Sequence, residues 1–312
     1  MKKFLLFSLI LSLPCFIWAQ GTVSDGRVPY EEVYLHPDQV LGGNGDVIGQ
    51  KLFDNVVIGT TWYDSQTVNY GNIMPRMWAY EDGTVGAIWM SAGEGLVPER
   101  GAGYNYYNGT EWGTPVPHVG PADRTGWPNY APYGPNGEII AVYRYIANEG
   151  PIWFFKRDVK GEGEWDFFQV NGPEGTSLVW HSMTTSGENH EYIHLLAESY
   201  DTPVAGQTNA LLYFRSADGG TTWDPDGVII DGLGIDYLPT INSLSYTWAN
   251  PVGNTIAFTY GFDEWGGWVF KSNDNGDTWE RITVFESVYD PLDPPTDTEP
   301  FGCGLGSSAV AL

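Results

Sequence analysis

Four tryptophans set the frame for this chain: Trp112, Trp165, Trp223 and Trp279 recur at spacings of 53, 58 and 56 residues. A period of that length marks a fold made by stacking one supersecondary unit, since a unit so small cannot bury its own apolar face alone. Before each tryptophan stands a polar turn, and before the turn an aromatic segment: Gly103 to Tyr107, Ile152 to Arg157, Leu211 to Arg215 and Trp268 to Lys271. Earlier still come Val85 to Met90, Ile139 to Tyr145, Tyr192 to Glu198 and Thr255 to Tyr260, rich in the β-branched and aromatic residues that suit strands. Asp82-Gly83, Asn136-Gly137, Gly187-Glu188-Asn189 and Gly253-Asn254 precede these segments and are expected to supply the positive φ of tight hairpin turns.

No stretch after residue 20 carries a sustained 3.6-residue apolar stripe. Four strands per unit of roughly 55 residues predict an all-β chain, a β-propeller of four-stranded antiparallel blades over residues 56–312. That span holds about four blades and the start of another. A sandwich could use the same strands, but it would not need a tryptophan at a fixed place in every unit.

Residues 1–19 read as a signal peptide: Lys2 and Lys3, an apolar run from Phe4 to Leu13, then Pro14 and the small Ala19. The apolar run is too short to span a bilayer, which needs about 20 residues, so a secreted or cell-surface product without a transmembrane segment is expected. Pro14 before Cys15 speaks against a lipoprotein signal. Residues 20–55 form an N-terminal extension. The formal charge of −25 excludes nucleic acid as a partner, because a polyanion would be repelled. Beyond the leader only Cys303 carries a thiol, so no internal disulfide can form and stability must come from packing.

Two turns carry a specific motif. Ser216-Ala217-Asp218-Gly219-Gly220-Thr221-Thr222-Trp223 and Ser272-Asn273-Asp274-Asn275-Gly276-Asp277-Thr278-Trp279 both read S-x-D-x-G-x-T-W. This resembles the Asp-box of the sialidase-like (BNR repeat) propellers, here of a bacterial secreted type. Asn108 to Trp112 and Asp158 to Trp165 look like degenerate versions, one shorter and one longer. The motif's chemistry is structural: Asp218 and Asp274 can accept backbone N–H groups of their own turns, glycine takes the left-handed position, and the tryptophan packs under the blade edge. Asp274-Asn275-Gly276-Asp277 would also suit a calcium loop, but the turn already accounts for these residues. No metal and no cofactor are expected, since the five histidines show no zinc-binding spacing.

The resemblance implies a ligand face opposite the motif turns, made of the loops between second and third strands and the crossovers between blades. Assigned there are Glu94, Glu99 and Arg100, then His118, Asp123, Arg124, Trp127 and Tyr130. Glu149, Trp180, His181, Tyr200, Asp201, Asp236, Tyr237, Asp263, Glu264 and Trp265 follow. Carboxylates, arginines and flat rings are what sugar chemistry uses, for proton transfer, for carboxylate recognition and for stacking. A sialidase-like glycoside hydrolase would use Arg76, Arg100 and Arg124 on an anionic sugar, Glu99 or Asp123 as acid, and Tyr237 as the tyrosine candidate. The family's early F/Y-R-I-P sequence is absent; Pro75-Arg76-Met77 stands in a comparable place. The alternative is a non-catalytic surface propeller that binds glycans or proteins. The apolar Ala309 to Leu312 predicts an N-terminal fragment of a longer product, with further blades and cell-surface attachment through a C-terminal region. Val56 to Asp64 is expected to be the outer strand that fastens the ring.

Overall fold

The computed structural model describes residues 40–41, 47–48, 56–63, 66, 75–94, 100–144, 150–200, 202–241, 245–263, 266–287, 290, 292 and 312. The expected leader and the C-terminal run to Ala311 lie outside them. The chain divides into two units, Met1–Val56 and Val57–Leu312. In the first, β1 (Val40–Leu41) pairs antiparallel with β2 (Val47–Ile48).

The second unit is all-β among the described residues, a propeller-type succession of four antiparallel sheets. The first holds β3 (Met77–Ala79), β4 (Val85–Ser91) and β5 (Gly101–Tyr107). The second holds β6 (Thr125–Tyr133), β7 (Gly137–Arg144), β8 (Ile152–Arg157) and β9 (Asp166–Val170). The third holds β10 (Ser177–Ser186), β11 (Tyr192–Tyr200) and β12 (Leu211–Ser216). The fourth holds β13 (Tyr246–Trp248), β14 (Ile256–Asp263), β15 (Gly266–Ser272) and β16 (Glu280–Glu286). The first strand of each sheet packs on the first strand of the next: β3 on β6, β6 on β10, β10 on β13. That succession is radial, and it separates the fold from two stacked sheets.

Blades 1 and 3 replace their outer strand by isolated bridges, Tyr104 with Val116 and Tyr213 with Val228. The spacing of the bonded positions explains the shortening. Gly113, Val116 and Val119 donate to Tyr106, Tyr104 and Ala102, three residues against two at each step, and Asp224 and Val228 donate to Arg215 and Tyr213, four against two. A segment that advances faster than its partner makes isolated bridges and no regular ladder.

Three apolar layers lie between consecutive blades. Ile88, Tyr104, Tyr130, Ile140 and Phe155 fill the first, Phe154, Leu178, Met183, Leu195 and Phe214 the second, and Leu196, Tyr213, Tyr246, Phe258 and Phe270 the third. A middle strand touches a layer on each side, which is why Ile139, Ile140, Ala141 and Val142 are all buried where a one-faced sheet would alternate. Cross-strand rings add order: Phe154 stacks on Phe168 at 4.8 Å and Phe258 on Phe270 at 5.0 Å.

Both S-x-D-x-G-x-T-W turns close in the same way. The Ser216 hydroxyl donates to Asp218 Oδ1 (2.9 Å) and accepts from Gly220 N (2.8 Å), while Asp218 accepts from Thr222 N (2.8 Å) and Thr222 Oγ1 (2.7 Å). Ser272, Asp274, Gly276 and Thr278 repeat these bonds at 2.7, 2.8, 2.9 and 2.6 Å. Gly219 and Asn275 hold the equivalent left-handed position at φ 72° and 55°. Trp223 packs on Phe154 and Phe214, and Trp279 on Tyr213 and Phe258. Each turn is also tied to the preceding blade: Lys156 Nζ donates to Gly219 O (2.7 Å), and Arg215 Nη1 donates to Asn275 O (3.0 Å) and Asp277 (2.6 Å).

Blade 2 closes differently. At the place of Ser216 and Ser272 stands Arg157, bonded to the fully buried Glu138 at 2.6 Å. Glu138 accepts from Gly161 N at 2.9 Å, the bond that the serine hydroxyl makes elsewhere, and from the hydroxyls of Tyr104 and Tyr130. The guanidinium of Arg157 lies 4.1 Å over Trp165. Two expectations are corrected. The β6–β7 turn takes its positive φ from Gly134 (60°), since Gly137 is an extended strand residue whose Cβ would meet Arg157 O at 2.3 Å. Residues 56–63 form no strand; Ile58 and Trp62 are tied to blade 1, where Asn105 Nδ2 donates to Ile58 O and Trp62 N to Ala92 O.

Candidate functional site

Strands alternate in direction, so the motif turns share one face with the β3–β4, β6–β7, β10–β11 and β13–β14 hairpins. The crossovers between blades open on the other face, where each inner strand begins. There β6 and β10 carry a β-bulge at the same place, between Gly126 and Asn129 and between Val179 and Ser182. Each bulge presents a tryptophan in the left-handed region, Trp127 at φ 54° and Trp180 at φ 50°. A bulky residue there costs on the order of 1–2 kcal/mol and persists only where its surroundings hold it. They do: Asn129 Nδ2 donates to Trp127 O (2.9 Å), and the Tyr246 hydroxyl donates to Trp180 O.

The two indoles lie 5.6 Å apart and Tyr63 meets Trp127 edge-on at 6.3 Å, giving a row Tyr63–Trp127–Trp180. Trp127 is 8% exposed, and the rings on either side of it are half-buried. Arg100 lies 5.5 Å from the Tyr63 ring and 5.8 Å from the Trp127 ring, and its Nε donates to Thr125 O (3.2 Å). Beneath the row, Asn129 reaches His181 Nε2 (3.3 Å) and accepts from Met183 N (2.9 Å), joining blades 2 and 3. His181 is held down to about 4 by burial, with the nearby Arg76 charge acting in the same direction, so it is neutral near pH 7. Burial also lowers Arg76 to about 10, and its Nε and Nη2 have no hydrogen-bond partner among the described residues.

The remaining sequence-derived candidates are dispersed. Asp123 pairs with Arg144 (2.8 Å), and the same arginine donates to Arg124 O (3.1 Å) and lies 5.2 Å from the Trp153 ring. Tyr237, 42% exposed, stands by Arg281 (5.1 Å) in the crossover between blades 3 and 4. Glu99 lies outside the described residues. Tyr63, Asn129, Arg144 and Tyr246 were not singled out from sequence as site residues; for Asn129 a usable signal existed, since Arg76 and Asn129 stand 53 residues apart at one position of consecutive inner strands.

One buried pair looks catalytic and is not. His194 contacts Ser186 Oγ through Nε2 (2.7 Å) and Tyr213 through Nδ1 (2.8 Å). Ser186 gives its own proton to Asn275 Oδ1 (2.7 Å), so it accepts from the histidine. Burial, reinforced by Arg215, pushes His194 down to about 3. The pair is a strut between blade 3 and the second motif turn.

Two clefts lie among the described residues. One of about 420 Å³ on the crossover face is lined by Thr60, Thr61, Trp62, Ser91, Gly93 and His118 among others. One of about 500 Å³ on the turn face is lined by Tyr106, Asn108, Arg157, Lys160 and Trp165 among others. Its cations are already committed, Arg157 to Glu138 and Lys160 to Asp82.

No protein-family profile matches the sequence, and no curated protein matches it. Solved structures with a similar course of chain include a variant of the NanB sialidase from Streptococcus pneumoniae (10% identity, TM-score 0.42), with 76% of this chain and 55% of that one covered. The intramolecular trans-sialidase from Ruminococcus gnavus (12% identity, TM-score 0.43) is covered to 76% of each chain. The fucose-specific lectin from Aleuria aurantia (13%, TM-score 0.40) is covered over 70% of this chain and 62% of its own. The chain thus spans about half the length of the NanB structure. The architecture rests on this chain's own strand register, and neither reaction nor ligand passes to it from these proteins.

Proposed function

We propose that this chain is an exported carbohydrate-binding propeller of the Asp-box type that seats a sugar on the aromatic row of its crossover face. The observation that carries this reading is the pair of bulges at equal positions of consecutive blades, each holding a tryptophan in a costly conformation. Strain kept twice at one end of a repeated unit supports a ligand-facing role, and a flat ring with polar neighbours suits the apolar face of a pyranose. The expected outcome is that Trp180→Ala lowers affinity for a bound glycan at least tenfold in isothermal titration while the thermal midpoint stays within a few degrees. Unchanged affinity would remove the row from the binding site.

A sialidase-like hydrolase is the second reading, favoured by Arg76, whose Nε and Nη2 have no hydrogen-bond partner among the described residues and suit a sugar carboxylate. Turnover of a fluorogenic sialoside that disappears in Arg76→Ala would establish it. Absence of turnover by the intact protein would leave binding alone.

A further inference from the structure

We propose that the cleft beside Trp62 is a second sugar subsite for an uncharged hexose unit, so that the ligand is an extended, neutral oligosaccharide. The inference rests on the carbohydrate reading above and adds the ligand's length and charge. Trp62 is 65% exposed, an unusual state for so large an apolar ring. Its backbone, by contrast, is fixed. Trp62 N donates to Ala92 O (3.0 Å), Thr61 Oγ1 accepts from Ala92 N (3.1 Å) and Tyr63 N (3.0 Å), and Gln66 bonds both Met90 O (2.9 Å) and Met90 N (3.0 Å). Gly59 presses on Trp89 so closely that a Cβ would lie 2.1 Å from the ring. A segment held this firmly loses little freedom on binding, which is what a stacking platform needs.

The chemistry of the cleft selects the ligand. Thr60, Thr61 and Ser91 offer hydroxyls, and His118 lines the wall with a buried Nδ1 that has no hydrogen-bond partner among the described residues. No carboxylate, lysine or arginine is among the lining residues. A volume of about 420 Å³ accommodates one hexose ring with its water. The formal charge of −25 disfavours a polyanionic chain. Tyr63, next to Trp62, belongs to the aromatic row, so adjacent residues of one anchored segment serve both places.

The test uses the full chain and isothermal titration with maltose, maltohexaose, cellobiose, cellohexaose, laminarihexaose and 3′-sialyllactose. The expected result is that a neutral hexasaccharide binds at least tenfold tighter than the matching disaccharide, and that Trp62→Ala removes this gain while disaccharide affinity is unchanged. Equal hexasaccharide affinity in Trp62→Ala and the parent protein overturns the subsite, as does equal loss for short and long sugars. Binding of sialyllactose alone overturns the neutral ligand. Binding of no sugar by the parent protein overturns the carbohydrate reading itself, and the subsite with it. Trp62→Phe, which keeps a ring, is expected to restore most of the gain.

Discussion

Blades 2 and 3 meet the same geometric demand with opposite chemistry. In blade 3 the serine and the aspartate of the turn find their partners within its eight residues: Ser216 takes the Gly220 N–H, and Asp218 takes two N–H groups and the hydroxyls of Ser216 and Thr222. In blade 2 the equivalent Gly161 N–H goes to Glu138, a carboxylate 23 residues upstream, buried among Arg157, Tyr104 and Tyr130. The local solution exposes its charge to water and gains modestly. The buried one takes a charge out of water and survives only because every lone pair is met. Glycine is common to both, pressed against a ring of the preceding blade: Gly161 on Tyr106, Gly220 on Phe168 and Gly276 on Tyr213. The backbone shape of the turn is thus the invariant, and the acceptor that holds it can be exchanged.

The contrast can be tested at three strengths. Glu138→Ala strands Arg157 without its counter-charge and is expected to cost about 3–5 kcal/mol in a urea titration. A loss under 1 kcal/mol would mean that blade 2 does not depend on the buried pair. Gly161→Ala, Gly220→Ala and Gly276→Ala should each cost about 2 kcal/mol or more, since φ is 78°, 90° and 82° and each added Cβ would fall within 2.4 Å of a ring or its hydroxyl. Similar values at the three sites would confirm a shared backbone demand; a tolerant Gly161 would break it. The smallest effect is acid sensitivity. Hydrogen bonds led by Thr222 N–H hold Asp218 at about 2; Asp274 is also at about 2, where burial pulls upward and bonds from Ser272 and Thr278 prevail. Both lie below the ordinary 3.8, so their stabilisation is complete above about pH 4 and is lost as pH falls through 2. The difference in urea midpoint between the parent protein and an Asp218→Ala/Asp274→Ala variant should therefore be constant at pH 5–7 and shrink as pH falls from 4 toward 2.

The same contrast explains how much could be read in advance. The two S-x-D-x-G-x-T-W turns were legible because the partners of their serine and aspartate fall within eight residues, and the strands because β-branched and aromatic runs sit between turn formers. Glu138 and Arg157 were not, since their meeting depends on the β7–β8 register that sets them opposite each other. The bulges were hidden for a related reason: nothing in Gly126-Trp127-Pro128 or Val179-Trp180-His181 announces a left-handed tryptophan, and bonds across the fold, from Trp127 N to Met90 Sδ and from Tyr246 to Trp180 O, help to hold it. Trp127 and Trp180 were placed on the proper face by topology, but their alignment with Tyr63 joined a segment expected to serve as an outer strand. Gly134, two residues before the expected turn pair, shows that a dipeptide signal finds a hairpin without fixing its corner.

The cations that tie each motif turn to the sheet before it have a consequence for biogenesis. Lys156 and Arg215 belong to strands synthesised earlier than the carbonyls they grip. Blades 3 and 4 therefore each meet, at their motif turn, a docking edge already made by their predecessor, and these two turns can lock in the order in which they are synthesised, like the teeth of a zip fastener.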